Sequence, residues 1–279
     1  MISYTLRTRV EGISPIVVRM YPKLWKFPGG EVGVQLQPYA NRIPDSINVT
    51  ASLKDSDEFM QLIMFLDAAK RQFKNVPINL YLPYLPYARQ DRVCNDGESL
   101  SIAVIANIIN SFNLASVTVF DVHSDVSLAL FNNMIHIEQP QIWASELVAL
   151  RTEVLIAPDA GAAKKVYKVA EQVGCDVVIA NKKRNVRTGE IVAVSIDKEA
   201  IRGQRCAVLD DICDGGRTFT ELSGLIRGIT YELNLCVTHG LFTKGEDVVC
   251  DAFDTVITTN SYSNGDDFKR VQVKKINID

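Results

Sequence analysis

The chain has 279 residues, 47% of them hydrophobic, a formal net charge of −3 and a mean hydropathy of +0.05. That length allows one large or two medium domains with their own cores, and the slightly acidic balance argues against a general nucleic-acid binder, which presents a broad basic face. There is no charged-then-apolar leader and no unbroken apolar stretch of about 18 residues, so a cytoplasmic protein without membrane contact is expected.

The first predicted element is a helix from Ser56 to Arg71, with Ser56 as its cap, Asp57 and Glu58 in its first turn and Lys70-Arg71 in its last. A strand from Ile78 to Leu85 follows. Pro83 and Pro86 then hold an extended path before an arginine, an amide and a carboxylate arrive in succession at Arg89, Gln90 and Asp91. Such a series suits the phosphates and base edge of a nucleotide, and it also suits a solvated basic loop. After a helix from Glu98 to Phe112, the strand Val117 to Val122 ends at His123, where ligands bind in open α/β sheets. A lone histidine is nonetheless more often a satisfied structural residue than a ligand.

A boundary near Ile135 to Gln139 divides the chain into residues 1–137 and 138–279. Beyond it, the strand Val154 to Ala157 leads through Pro158-Asp159 into a helix from Ala162 to Val173, with Gly174 as its C-terminal cap. The strand Val177 to Ala180 precedes the densest basic run, Lys182-Lys183-Arg184-Asn185-Val186-Arg187, and a further strand spans Ile191 to Ile196. The basic run reads as a solvent-facing hairpin or as a mobile lid that brings cations onto a polyphosphate. The strand Ala207 to Leu209, a helix from Thr218 to Arg227, and strands Leu233 to Thr238 and Thr255 to Thr258 complete the pattern. This alternation predicts an α/β protein with mostly parallel sheets flanked by helices.

The most informative segment is Asp210-Asp211-Ile212-Cys213-Asp214-Gly215-Gly216-Arg217-Thr218, set between a strand and a helix. The first amides of a helix lack intrahelical partners and carry about half a positive charge, so they favour a phosphate. Gly215 and Gly216 let a backbone approach closely, and Thr218 offers a hydroxyl. Asp210 and Asp211 can accept from sugar hydroxyls or hold water around magnesium. The segment therefore reads as a phosphoribosyl-binding loop, against the plainer alternative of an acidic surface turn. Asp159 has the same strand-end placement as His123, and the two are candidates to hold one magnesium ion, although histidine is an unusual ligand for so hard a cation. The six cysteines show no paired metal spacing, so neither disulfides nor zinc are expected.

Five segments in order resemble ribose-phosphate pyrophosphokinases: Pro86 to Asp91, Asp121 to His123, Pro158 to Gly161, Asp210 to Thr218, and Thr238 to Gly240. The similarity runs from about Phe27 to Val273. It implies two tandem phosphoribosyltransferase-like domains and transfer of the diphosphoryl group of ATP to the C1 hydroxyl of ribose 5-phosphate. The products the resemblance implies are 5-phosphoribosyl 1-diphosphate and AMP, for nucleotide and NAD biosynthesis. By that resemblance Phe27, Gly29, Glu31, Arg89, Gln90, Asp91 and His123 bind ATP, and His123 and Asp159 organise magnesium. Asp210, Asp211, Asp214, Gly215, Gly216, Arg217 and Thr218 hold ribose 5-phosphate, and Lys182 and Arg184 form the catalytic lid.

The segment Phe27 to Glu31 resembles one that reaches into a neighbouring subunit's site, which implies a homo-oligomer, dimer or hexamer, with a shared ATP site. Gly29 and Arg217 depart from the family's usual residues. A base-transferring phosphoribosyltransferase and a catalytically silent regulatory homologue are the alternative readings.

Overall fold

The computed structural model describes residues 1–10, 12–39, 43–184, 191–263 and 268–276. They form two compact units, Met1–Ile137 and Glu138–Ile276.

The first unit runs β1 (Ile2–Val10), β2 (Ile13–Met20), β3 (Lys23–Lys26), β4 (Val32–Gln35), β5 (Ser46–Ala51), α1 (Ser56–Gln72), β6 (Ile78–Leu82), α2 (Ser101–Asn110), β7 (Ser116–Phe120), α3 (Asp125–Leu130) and β8 (Met134–Ile137). Its main sheet has the order β2-β1-β5-β6-β7-β8; β5 to β8 are parallel, and β1 is antiparallel to both its neighbours. In β6 the buried residues Ile78, Leu80 and Leu82 alternate with half-buried ones, so one face meets the core. The stripe Phe59, Leu62, Phe65, Leu66 and Ala69 on α1 closes that face, with the ring of Phe65 5.2 Å from that of Tyr4. The helix cap is Asp55 rather than the expected Ser56: its carboxylate accepts from the Glu58 amide at 2.8 Å.

The second unit runs α4 (Gln139–Ala149), β9 (Val154–Ala157), α5 (Ala160–Val173), β10 (Asp176–Ile179), β11 (Asn181–Arg184), β12 (Ile191–Ser195), β13 (Arg205–Cys213), α6 (Arg217–Ile226), β14 (Glu232–Gly240), α7 (Asp247–Cys250), β15 (Thr255–Thr259) and β16 (Gln272–Lys274). The sheet order is β10-β9-β13-β14-β15-β16, parallel throughout. All of β9 and nearly all of β14 are buried, as expected of strands covered on both faces. The expected strand at Ile191 to Ile196 lies outside this sheet, since β12 pairs antiparallel with β11 alone.

From β9 the chain adds β10 on one side and then returns to build β13 to β16 on the other. The order therefore reverses between β9 and β13, and at such a reversal the loops leaving the two strands diverge and open a crevice at the carboxyl ends. The expected architecture, two tandem α/β units with mostly parallel sheets flanked by helices, is the one observed. Among the described residues no helix is long and apolar enough to cross a membrane.

Candidate functional site

The carboxyl ends of β9 and β13, where the strand order reverses, carry the residues predicted for the sugar phosphate and Asp159. Asp159 follows β9 and caps α5, its carboxylate accepting from the amides of Gly161 at 3.0 Å and Ala162 at 3.2 Å. Asp210 and Asp211 lie in β13. Asp211 is 6% exposed and is paired with the Lys165 ammonium at 3.2 Å, while its amide donates to Asp210 Oδ1 at 2.9 Å. Burial, reinforced by the charges of Asp211 and Asp159, raises the Asp210 carboxyl well above the ordinary carboxylate range. Lys165 escaped the sequence reading because its partner lies 46 positions away and only the strand order brings them together.

The loop after β13 is held by its neighbours. Gly216 has φ +78° at the N-cap of α6, and a β-carbon there would lie 2.8 Å from Val249 Cγ1, so both backbone and space require glycine. Asp214 Oδ1 accepts from the Thr243 hydroxyl at 2.6 Å. Arg217 opens α6 and pairs through Nε with Glu221 at 2.6 Å, and Thr218 follows it, half-buried. In the Thr-His-Gly segment, Trp143 Nε1 donates to Thr238 Oγ1 at 2.9 Å, and His239 Nδ1 lies 2.7 Å from Ser261 Oγ. His239 is 2% exposed, so here the motif fixes the end of β14 from inside the core.

In the first unit, two segments read separately from the sequence meet. Arg89, Gln90, Asp91 and His123 line one cleft of about 490 Å³ at the carboxyl ends of β6 and β7. The Asp91 side chain is only 9% exposed. Burial works against its ionisation, but hydrogen bonds from Ser124 and Arg92 and the Arg92 charge outweigh that and leave its pKa below the ordinary value. Asp91 thereby ties the arginine segment to the turn that carries His123, which is itself exposed. Arg89 and Gln90 also border an adjacent cleft of about 500 Å³, lined by Lys54, Ser56 and Tyr87 among others.

Phe27, Gly29 and Glu31 lie in the turn of the β3–β4 hairpin, closed by Phe27 N–H to Glu31 O at 2.8 Å. Phe27 is 49% exposed. A β-carbon on Gly29 would lie 2.9 Å from Glu31 Oε2, so this glycine makes room for the Glu31 carboxylate. Lys182 and Arg184 lie on β11, opposite Val194 and Ile191 of β12. Their side chains, and residues 185–187 of the predicted lid, lie outside the described residues.

Among the described residues no group of three or more His, Cys, Asp or Glu side chains is placed to hold a metal ion by itself. The Asp159 carboxylate is a donor of the kind magnesium takes, since that ion is bound through one or two carboxylates while water and substrate phosphates fill its other positions. The negative charge that raises Asp210 is of the kind such a cation would neutralise.

Residues 17–112 match the family model for the N-terminal domain of ribose phosphate pyrophosphokinase, and residues 135–269 match that for the phosphoribosyl transferase domain. The ribose-phosphate pyrophosphokinase of Pyrococcus furiosus is 28% identical over 241 residues, 85% of this chain and 84% of its own. That of Mycoplasmopsis pulmonis is 27% identical over 256 residues, 90% of this chain and 79% of its own. The crystal structure of phosphoribosylpyrophosphate synthetase from Mycobacterium smegmatis superposes with a TM-score of 0.79 at 20% identity, covering 92% of this chain and 86% of that one, and shows a shared fold.

Proposed function

Because the chain belongs to the ribose-phosphate pyrophosphokinase family, we propose that it transfers the diphosphoryl group of ATP to the C1 hydroxyl of ribose 5-phosphate, releasing AMP. Membership makes it a diphosphotransferase of phosphoribosyl pyrophosphate synthesis. The choice of substrates, the AMP product, the supply of nucleotide and NAD synthesis, and a cytoplasmic location are our reading. The observation that carries this reading is the loop Asp214–Thr218 at the point where the second sheet reverses its strand order, with Asp159, Asp210 and Asp211 beside it.

In this reading the amides at the start of α6 bind the 5-phosphate, and Asp210 and Asp211 accept from the ribose hydroxyls. Lys165, paired with Asp211, orients its carboxylate. Arg89, Gln90 and His123 receive the nucleotide phosphates in the cleft of the first unit, and Asp91 holds that segment in place. We assign Asp159 of the second unit and, separately, His123 of the first to magnesium, which when bound would supply a positive charge on the transferring phosphoryl oxygens. Lys182 and Arg184 are assigned to the same developing charge.

No side-chain nucleophile is required, because phosphoryl transfer needs mainly alignment and charge stabilisation, and alignment alone can lower a barrier by about 7–11 kcal/mol. The test is chromatographic. Wild-type protein given ATP, ribose 5-phosphate and magnesium should form AMP, and omission of the sugar should stop it. Accumulation of ADP instead would reject the reading.

A further inference from the structure

We propose that Lys244, on the segment that follows β14, supplies a side-chain cation to the phosphate of the bound sugar; this rests on the function proposed above. The loop Asp214–Gly216 has a second wall, formed by Leu241 to Lys244. Leu241 and Phe242 both donate their amides to the Cys213 carbonyl, at 2.8 and 3.2 Å, and the Thr243 amide donates to the Asp214 carbonyl at 3.1 Å. With the Thr243 hydroxyl bound to Asp214 Oδ1 at 2.6 Å, four hydrogen bonds fasten this wall to the loop.

The wall is bent to fit. Phe242 has φ +45°, a left-handed conformation that costs of order 1–3 kcal/mol in a residue with a side chain. Its ring lies where a β-carbon of Gly240 would be, 2.3 Å away, and packs edge-on against Phe268 at 5.3 Å. Strain of this kind persists only where surrounding contacts impose it, and here those contacts place the next two residues against the loop.

Lys244 then lies along Gly215: its Cδ and Cε are 3.4 Å from where a β-carbon on that glycine would sit, and Nζ is one bond further on. Among the described residues its ammonium makes no ion pair or hydrogen bond, although Asp214 is close by and is held by Thr243 instead. The charge balance shows why a cation matters here. A sugar phosphate must enter beside Asp210, Asp211 and Asp214, the Lys165 ammonium is paired with Asp211, and the Arg217 guanidinium is paired with Glu221. Loop amides and the helix end contribute only partial charges. Lys244 adds a full positive charge, on a stem already seated against the loop.

The experiment compares wild type with Lys244→Met, which keeps the stem and removes the charge, and with Lys244→Arg. Initial rates are measured against ribose 5-phosphate and ATP, and binding of ribose 5-phosphate by titration calorimetry. Lys244→Met should raise KM and Kd for ribose 5-phosphate about tenfold, leave KM for ATP and kcat within about twofold, and be largely rescued in Lys244→Arg. Lys244→Gln should behave as Lys244→Met, which separates charge from local packing. If wild type forms AMP and both neutral variants keep the wild-type KM and Kd, the role of Lys244 is overturned and the function stands. If wild type forms no AMP from these substrates, the functional reading falls and this assignment falls with it.

Discussion

Asp210 shows how a fold stores unfavourable charge. Its amide neighbour Asp211 is paired with Lys165, whereas Asp210 faces burial and two like charges, so the folded state holds the Asp210 proton more tightly than the unfolded chain does. A carboxyl with a raised folded pKa contributes stability that is present below the ordinary value of 3.8 and is lost as pH rises through the raised one. At neutral pH this carboxylate therefore destabilises the free protein. Asp210→Asn retains the oxygen that accepts from the Asp211 amide and should raise Tm at pH 7 by a few degrees, a gain on the order of 1 kcal/mol, while reducing turnover at least tenfold. The Tm difference from wild type should shrink as pH approaches 4, and a variant less stable than wild type at pH 7 would contradict the account. Residue types and spacing made Asp159, Asp210 and Asp214 legible in the sequence. Lys165, Ser124 and Thr243 were not, because each acts on a residue that only the fold brings near.

Among elements, continuous apolar runs identified the strands buried on both faces, such as β9 and β13. The hairpin β1–β2 went unnoticed because its signal is different: Ile2, Tyr4, Leu6 and Thr8 are buried and alternate with more accessible residues, so no apolar run forms. The helix expected from Glu98 begins at Ser101, since the Glu98 carboxylate accepts from the amides of Cys94 and Asn95 and closes a turn there. The junction of β13 with α6 depends on Gly216 for its backbone angle and for the space that Val248 and Val249 occupy. Gly216→Ala should destabilise the protein by about 1–3 kcal/mol and raise KM for ribose 5-phosphate, as measured by denaturant unfolding and initial rates. A variant with wild-type stability would show that this strand-to-helix turn is less constrained than described.

For the whole molecule, the exposed Phe27 in the β3–β4 turn is the feature that bears on assembly. We propose that it enters the ATP site of a neighbouring copy, an arrangement in which each site would depend on two chains. Phe27→Ala and Lys182→Ala should each lose most activity alone. When unfolded together and refolded, they should recover roughly a quarter of wild-type turnover, because mixed pairs contain one intact site. No recovery, with mixed oligomers confirmed by mass spectrometry, would place Phe27 in its own chain's site.

The central claim, that the unit moved is a diphosphoryl group, is tested most directly with ATP labelled at the β-phosphorus. With ribose 5-phosphate and magnesium present, the label is predicted to leave the nucleotide and appear on C1 of the sugar, with one AMP formed for each sugar labelled. Label retained in ADP while the sugar gains only the γ-phosphoryl group would contradict it.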